Sequence, residues 1–357
     1  MKLPGPHKCL RPLGAAYALL MRGRRALYAT GSLAVHSPAC PCVSVGNIAM
    51  GGSGKTPLVS LLLDWAGERG VKAVVLSRGY KGRCGASPLA VHYNTPPEVC
   101  GDEALMLARV HPQTAVLVHP RRTKAARLAE AFLRPDLFIL EDGMQHLALR
   151  RGADIALLRP QDLDADWNRV LPSGPWREGK SALKAATVFA LKLDAGDEIL
   201  SARALERLAC LDRPVYPFRL RVKALRPLGA GSPVSGFCSA DLRGKPYLLA
   251  SGVGNPAGVE STAIRFMGLK PERHFIFADH HFFTETDARE IAAAASLSLP
   301  LLCTAKDAVK LEAFAGVFAG RAVLVMDSAP VFEPPLFSDL PFMDWWERTY
   351  ARLASEL

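Results

Sequence analysis

Residues Ala49 to Thr56 read AMGGSGKT. Gly51, Gly52 and Gly54 would let successive backbone amides turn toward a phosphate, with Ser53 between them. Lys55 would reach the outer phosphates of a nucleotide, and Thr56 would offer its hydroxyl to Mg²⁺. The strict phosphate-loop pattern has glycine where this chain has Ala49. The later glycines carry the flexibility, so the departure is tolerable. A helix opening at Lys55 would add the positive end of its dipole. Pro57 fits its first turn, where a missing N–H costs little. The expected ligand is a nucleoside triphosphate, and the loop does not say where its phosphate goes.

Other runs carry chemistry less openly. LFILEDG ends an apolar strand in Glu141 and Asp142, where a phosphate-loop enzyme places a second Mg²⁺ contact. Gln145, His146, Arg150 and Arg151 follow, and polar clusters at the carboxyl ends of parallel strands mark sites. Asp102 opens a helix and, taken alone, reads as its N-cap. Asp279, His280 and His281 look like metal ligands, but adjacent side chains of an extended segment point to opposite faces. A histidine paired with a carboxylate is the better functional reading, beside the commoner structural one. Thr284 and Asp287 read as a capping pair. Arg177, with Glu178, would clamp phosphate or merely form a surface ion pair. Lys306 and Asp307 read as a helix start, and SGVGNP is a weak nucleotide signal.

The elements that must position these residues alternate. Apolar strands (CVSVGNI, VKAVVLS, TAVLVH, DLFILE, ADIALL, ATVFALKL) are separated by helical runs. Strands buried on both faces predict a doubly wound, mostly parallel α/β sheet of the P-loop NTPase type. After about Pro214 a second, smaller α/β unit begins. The expected divisions are 1–42, a leading helical region; 43–214, the phosphate-loop domain; 215–335, the smaller domain; and 336–357, an amphipathic helix packing back on the first domain.

The chain has 357 residues, room for about two domains, with 49% apolar and 22% charged residues. Net charge is +10, which fits polyanionic partners. No aromatic-and-basic stacking run supports nucleic acid among them. The eight cysteines form no C-x-x-C pair and read as free thiols. Leu13 to Met21 is apolar but too short to span a bilayer, which takes roughly 20 residues. Flanked by Lys8, Arg11, Arg22, Arg24 and Arg25, it fits an interfacial helix or a helix packed on its own domain.

In order, the runs SVGNIAMGGSGKTP, LSRGYKGR, GDEALMLA, EDGMQH, LPSGPWRE, SGVGNP, DHHFFTETD and TAKDAVKL resemble the tetraacyldisaccharide 4'-kinase family of Gram-negative bacteria. The resemblance runs from about residue 43 to 311, and PLGAAYALLMRGRRALY resembles that family's membrane-associated leading helix. It implies transfer of the γ-phosphate of ATP, with Mg²⁺, to an acylated glucosamine disaccharide 1-phosphate at the cytoplasmic face of the inner membrane. No obligate protein partner is implied. Lys55 and Thr56 would be phosphate and Mg²⁺ residues, and Asp102 with His280 would activate the acceptor hydroxyl. Glu141, Asp142 and Gln145 match an acidic site motif, Arg177 and Glu178 a further site run, and Arg121 and Arg122 basic residues near substrate phosphate. Three positions depart from the family pattern: Glu141 replaces aspartate, Ala305 replaces glutamate and Met144 replaces an aromatic. A nucleotide-switch protein controlling assembly of a partner is the alternative, since such loops serve both.

Overall fold

The computed structural model describes residues 10–52, 54–197, 199–229 and 242–356. Ser53 and most of the Gly229–Gly236 connector lie outside the described residues. Helix α1 (Arg11–Ala29) leads, followed by β1 (Cys42–Asn47), the glycine loop, α2 (Lys55–Glu68), β2 (Ala73–Ser77) and β3 (Leu89–Ala90). Next come α3 (Pro97–Cys100), α4 (Asp102–Val110), β4 (Ala115–Val118), α5 (Arg122–Phe132), β5 (Leu137–Glu141), β6 (Ala153–Leu158) and α6 (Pro160–Leu163). The chain continues through β7 (Val188–Lys192), α7 (Ala202–Ala209), β8 (Val215–Pro227), β9 (Leu248–Ser251), α8 (Pro256–Met267) and β10 (Arg273–Ile276). It closes with α9 (Glu285–Ala294), β11 (Leu301–Thr304), α10 (Ala305–Leu311), β12 (Val323–Phe332) and α11 (Phe342–Ser355).

The described strands form one sheet, ordered β10-β9-β11-β12-β8-β7-β6-β1-β5-β2-β4-β3. Neighbours run parallel except β3 with β4 and β8 with β12. The apolar runs become strands buried on both faces because helices cover both. Val43 and Val45 pack with Leu58 and Leu62 of α2. Val74, Leu76, Phe138 and Leu140 pack on the other side with Ala125 and Ala129 of α5.

The 215–335 stretch is not set off by a break in the sheet. Strand β8 begins at Val215 and pairs parallel to β7 through Val215–Phe218. The same strand then runs on, antiparallel to β12, from Phe218 opposite Phe332 to Pro227 opposite Leu324. Strand β11 joins β12 only at its far end, Val323–Met326. The two parallel half-sheets therefore attach to opposite ends of one antiparallel ribbon, with their carboxyl ends pointing toward each other. About six ribbon residues, roughly 20 Å, separate them at the ribbon.

Helix α1 has two faces. Gly14 is buried so closely that a side chain there would strike Ser173 and the carbonyl of Val170. Tyr17 and Ala18 continue this inner face onto the core. Leu13, Leu19, Leu20 and Leu27 are exposed on the outside. Among the described residues no helix is long and apolar enough to cross a membrane.

Helix α11 packs its aromatics on the first half-sheet. Trp346 meets Trp65 of α2 edge-on at 5.3 Å, and Tyr350 does so at 5.0 Å. Phe342 stacks on Phe332 of the ribbon at 4.1 Å. Trp346 is fully buried. Trp346→Ala is expected to cost about 3–5 kcal/mol of stability, read as a lowered urea midpoint; an unchanged midpoint would show that α11 is not part of the core.

Candidate functional site

The glycine loop turns as its sequence requires. Gly51 and Gly54 have φ of +114° and +85°, the left-handed region open to glycine. Ala49 is buried and its backbone bridges Trp176, so its methyl group belongs to the core beneath the loop. That explains why this position carries no glycine. Helix α2 opens at Lys55 and aims its free N–H groups into the loop.

Lys55 Nζ donates to Asn47 Oδ1 at 3.3 Å and lies 3.6 Å from Asp142 Oδ1. Arg177 donates through Nη1 to both Asp142 oxygens, at 2.9 and 2.7 Å, and to Gln145 Oε1 at 3.2 Å. Gln145 Nε2 returns a bond to the Asn47 carbonyl at 3.1 Å. Buried Arg122 donates to the carbonyls of Glu141 and Asp142. Arg121, its neighbour, is exposed at the start of α5. Lys55, Asp142, Gln145 and Arg177 thus come together, and Arg122 braces the strand end behind them.

The two adjacent acids differ. Burial pushes the Glu141 carboxyl well above the usual range, with the charges of Glu103 and Asp142 adding to the effect. Burial opposes ionisation of Asp142 as well, but Lys55 and Arg177 overcome it and hold that carboxyl below its ordinary value. Glu141 Oε2 accepts from Ser77 Oγ at 3.0 Å, whereas buried Oε1 has no partner among the described residues. A partnerless buried carboxylate oxygen at the end of β5 is the kind of acceptor a divalent cation would satisfy.

Glu178 is placed differently from the other expected substrate residues. It is buried, and both its oxygens accept from Arg25 of α1, one at 3.0 Å. Arg24 donates to the Gln145 carbonyl at 3.1 Å. The leading helix is thereby tied to the site motif.

The second cluster joins residues 178 positions apart. His280 Nδ1 lies 2.9 and 3.0 Å from the two Asp102 oxygens. Asp102 is not the N-cap that its local sequence favoured. Gly101 is the cap residue, at φ +84°, and a side chain there would strike the carbonyl of Tyr80. Asp102 is displaced into the first turn, where it is buried and faces His280 and Lys310 Nζ at 3.4 Å. Burial opposes its charge, but the hydrogen bond from His280 and the charge of Lys306 overcome this and lower its pKa to about 2.

His280 itself sits at φ +56°, rare for a residue with a Cβ and common at functional sites. The neighbouring histidines do diverge, but through a turn at His280 and not along an extended segment. His281 stacks on Phe277 and bonds Asp287 at 3.0 Å, and Thr284 with Asp287 closes the capping box of α9.

Lys306, expected only as a helix start, is in the site. Its Nζ lies 3.1 Å from His280 Nε2, 3.2 Å from Asp279 and 3.4 Å from Glu103. Asn47, Lys81 and Lys310 were also missed; Lys81 donates to the Asp279 carbonyl. Asn47, Lys81 and Lys306 share a signal, position at a strand's carboxyl end or just after one, whereas Lys310 sits in the last turn of α10. The SGVGNP run reaches the glycine loop: a side chain on Gly254 would lie 3.1 Å from both Gly52 N and Asp279 Oδ2. Loop and histidine are therefore contiguous across the cleft. A separate chain links Ser251, His274 and Glu260 at 2.7 and 2.9 Å, but Ser251 is wholly buried.

Comparison with known proteins covers almost the whole chain. The family model described as "Tetraacyldisaccharide-1-P 4'-kinase" matches residues 6–340. A tetraacyldisaccharide 4'-kinase of Nitratidesulfovibrio vulgaris is 45% identical over 97% of this chain and 95% of its own. One from Oleidesulfovibrio alaskensis is 45% identical over 97% and 96%. The crystal structure of LpxK from Aquifex aeolicus in complex with ATP is similar, with a TM-score of 0.73 and 25% identity over 97% of this chain and 98% of that one.

The depressed Asp102 carboxyl links the site to stability. Its pKa falls from 3.8 to about 2, so its stabilisation is present above pH 4 and lost as pH falls toward 2. The contribution at neutrality is on the order of 2 kcal/mol. In acid titrations of unfolding free energy, Asp102→Asn is expected to flatten this drop; an unaltered acid slope would refute the coupling.

Proposed function

The chain belongs to the tetraacyldisaccharide 4'-kinase family, and from that premise we infer that it transfers the γ-phosphate of ATP to the 4'-hydroxyl of tetraacyldisaccharide 1-phosphate, giving lipid IVA in lipid A biosynthesis. The observation that carries this reading is the meeting of the two halves: Asp102 of the first bonds His280 of the second, and Gly254 packs between the glycine loop and Asp279, the residue before His280. Phosphoryl transfer needs in-line positioning and charge neutralisation more than covalent help. Gly51, Gly52, Ser53 and Gly54 would cradle the nucleotide phosphates, with Lys55 on the outer ones. Thr56, Glu141 and Asp142 would hold Mg²⁺, which when bound neutralises charge on the phosphate oxygens. Arg177 and Gln145 order Asp142 and line the path of the transferred group. Arg121 and Arg122 would serve the substrate's own phosphate, with Arg122 acting from behind the strand end.

A sugar hydroxyl is a poor nucleophile at neutral pH. A positioned base contributes roughly 10²–10⁴-fold, and His280 held by Asp102 fills that role. Tyr80, Pro97, Gly101 and Phe282 line a narrow recess beside the pair. The half-sheets of 43–214 and 215–335 act as two domains that close on the nucleotide and the acceptor.

The outer leucines of α1 are proposed to lie in the headgroup region at the cytoplasmic face of the inner membrane, with exposed Arg11 and Arg22 at anionic lipid. Its inner face, through Arg24, Arg25 and Glu178, would then present the site to that surface.

The direct test incubates purified protein with radiolabelled ATP, Mg²⁺ and the disaccharide 1-phosphate in detergent. Label is expected in the lipid; nucleotide hydrolysis with no labelled lipid, while a control kinase works, would overturn the assignment. His280→Ala is expected to lower kcat by about 10²-fold or more with nucleotide affinity nearly intact; wild-type turnover would remove His280 from catalysis. In sedimentation with anionic vesicles, the Leu19→Ser/Leu20→Ser double variant is expected to stay in the supernatant more than wild type. Equal pelleting would refute the interfacial placement of α1.

A further inference from the structure

We propose that Lys306 is a positioning residue for the catalytic pair: its ammonium fixes the imidazole of His280 as the Nδ1–H tautomer and reserves Nε2 for the acceptor hydroxyl. This rests on the reading of Asp102 and His280 as the activating pair.

The chemistry of the two neighbours sets the tautomer. Lysine ammonium has three donors and no acceptor. At 3.1 Å from His280 Nε2 it can only donate, so Nε2 must present a lone pair. Asp102 on the other side accepts at 2.9 and 3.0 Å, so Nδ1 carries the hydrogen. A ring with its lone pair on the outward nitrogen and its hydrogen on the buried carboxylate is the form a general base needs.

The ammonium is held from three directions. Asp279 and Glu103 grip it at 3.2 and 3.4 Å, and its side chain is largely buried. Burial works against its charge, but Glu103, Asp102 and Asp279 outweigh burial and raise its pKa, so it stays protonated. When the acceptor hydroxyl arrives, it can replace Lys306 as donor to Nε2 with no change of tautomer. Lys306 then remains bound to Asp279 and Glu103. The proton passes from the hydroxyl oxygen to Nε2 as that oxygen bonds to the γ-phosphorus of ATP and the bond from that phosphorus to the β,γ-bridging oxygen breaks, ADP taking the electron pair as leaving group; the imidazolium formed is neutralised by Asp102.

The groups facing His280 are Asp102 and Glu103 of α4, Tyr80 and Lys81 after β2, Asp279 of its own loop, and Lys306 and Lys310 of α10. Lys306 is the cation in direct contact with the ring. Removing its charge favours protonation of the pair, so the acid limb of the kcat/KM profile moves to higher pH.

The test combines nitrogen NMR of ¹⁵N-histidine-labelled protein, assigned against His280→Ala, with kinetics of three Lys306 variants. In wild type at neutral pH, His280 is expected to show a protonated Nδ1 and an unprotonated Nε2. Lys306→Met is expected to mix tautomers, cut kcat at least about tenfold with KM for ATP unchanged, and shift the acid limb up by about one pH unit. Lys306→Gln keeps a donor without charge, so it should retain the tautomer and still show the shifted limb. Lys306→Arg keeps both and should restore the wild-type profile. An Nε2–H ring in wild type, an unmoved acid limb in Lys306→Met, or equal losses in the Met and Arg variants would overturn the proposal. The nitrogen signals report on Lys306 even if His280→Ala keeps its turnover, so the two readings fail separately.

Discussion

The antiparallel pairing of β8 with β12 is the contact on which the rest of the molecule depends. In a doubly wound sheet, ligands gather at the carboxyl ends of the parallel strands. A single such sheet has one carboxyl edge. Here two half-sheets hang from opposite ends of one ribbon, and their carboxyl edges face each other. One edge supplies the glycine loop, Glu141 and Asp142. The other supplies Gly252, Gly254, His280 and Lys306. A reaction between two bound partners needs two such edges close together, and the register of the ribbon sets their separation. The aromatic lock of Tyr216, Phe218, Phe332 and Phe342 holds that register. It also touches the loop: a side chain on Gly54 would lie 3.3 Å from Phe218.

The second constraint is electrostatic. Two sets of opposed, mostly buried charges flank the reaction site: Lys55, Arg122 and Arg177 around Glu141 and Asp142, and Lys306 and Lys310 around Asp102, Glu103 and the more exposed Asp279. Buried pairs contribute little net stability, because desolvation offsets their attraction, but removing one partner strands the other. Their value is geometric. Asp142 is kept ionised and aimed by Arg177, and Asp102 is kept ionised and aimed at His280. Glu141, with one free oxygen and a raised pKa, is the exception. Its unmet demand for positive charge is consistent with a cation-binding role in place of a salt bridge.

Local chemistry was legible where a motif is contiguous. Glycines that must adopt positive φ, a lysine at a helix start and acids at a strand end are all decided within a few residues. The strands were legible because burial on both faces demands unbroken apolar runs. The Asp102–His280 pair was not legible from spacing. Nothing in either run specifies a partner 178 residues away, and only the resemblance joined them. Asp102 misled for a definite reason: capping preference sees the helix that follows, not Gly101 before it, whose conformation takes over the cap. Lys306 was hidden in the same way, as a plausible first-turn residue of α10. The continuity of the sheet was hidden too, because a turn-rich stretch after β8 looks like a linker, while strand pairing over a hundred residues leaves no local mark.

The leading helix brings these threads together. On the proposed reading its outer leucines and Arg11 and Arg22 draw the helix to an anionic surface, in keeping with the net positive charge. Its inner arginines do something more specific. Arg25 is paired with buried Glu178, which directly follows Arg177, the residue that aims Asp142. Arg24 reaches the carbonyl of Gln145, whose side chain bonds both Arg177 and the end of β1. The same helix thus exposes leucines on one side, which the proposed reading turns to the bilayer, and braces the Gln145–Arg177 motif with the other. For an acceptor whose acyl chains remain in the membrane, the depth of the reaction site is then set by side chains rather than by a flexible linker. That coupling explains why a buried carboxylate is spent on holding an N-terminal helix in place.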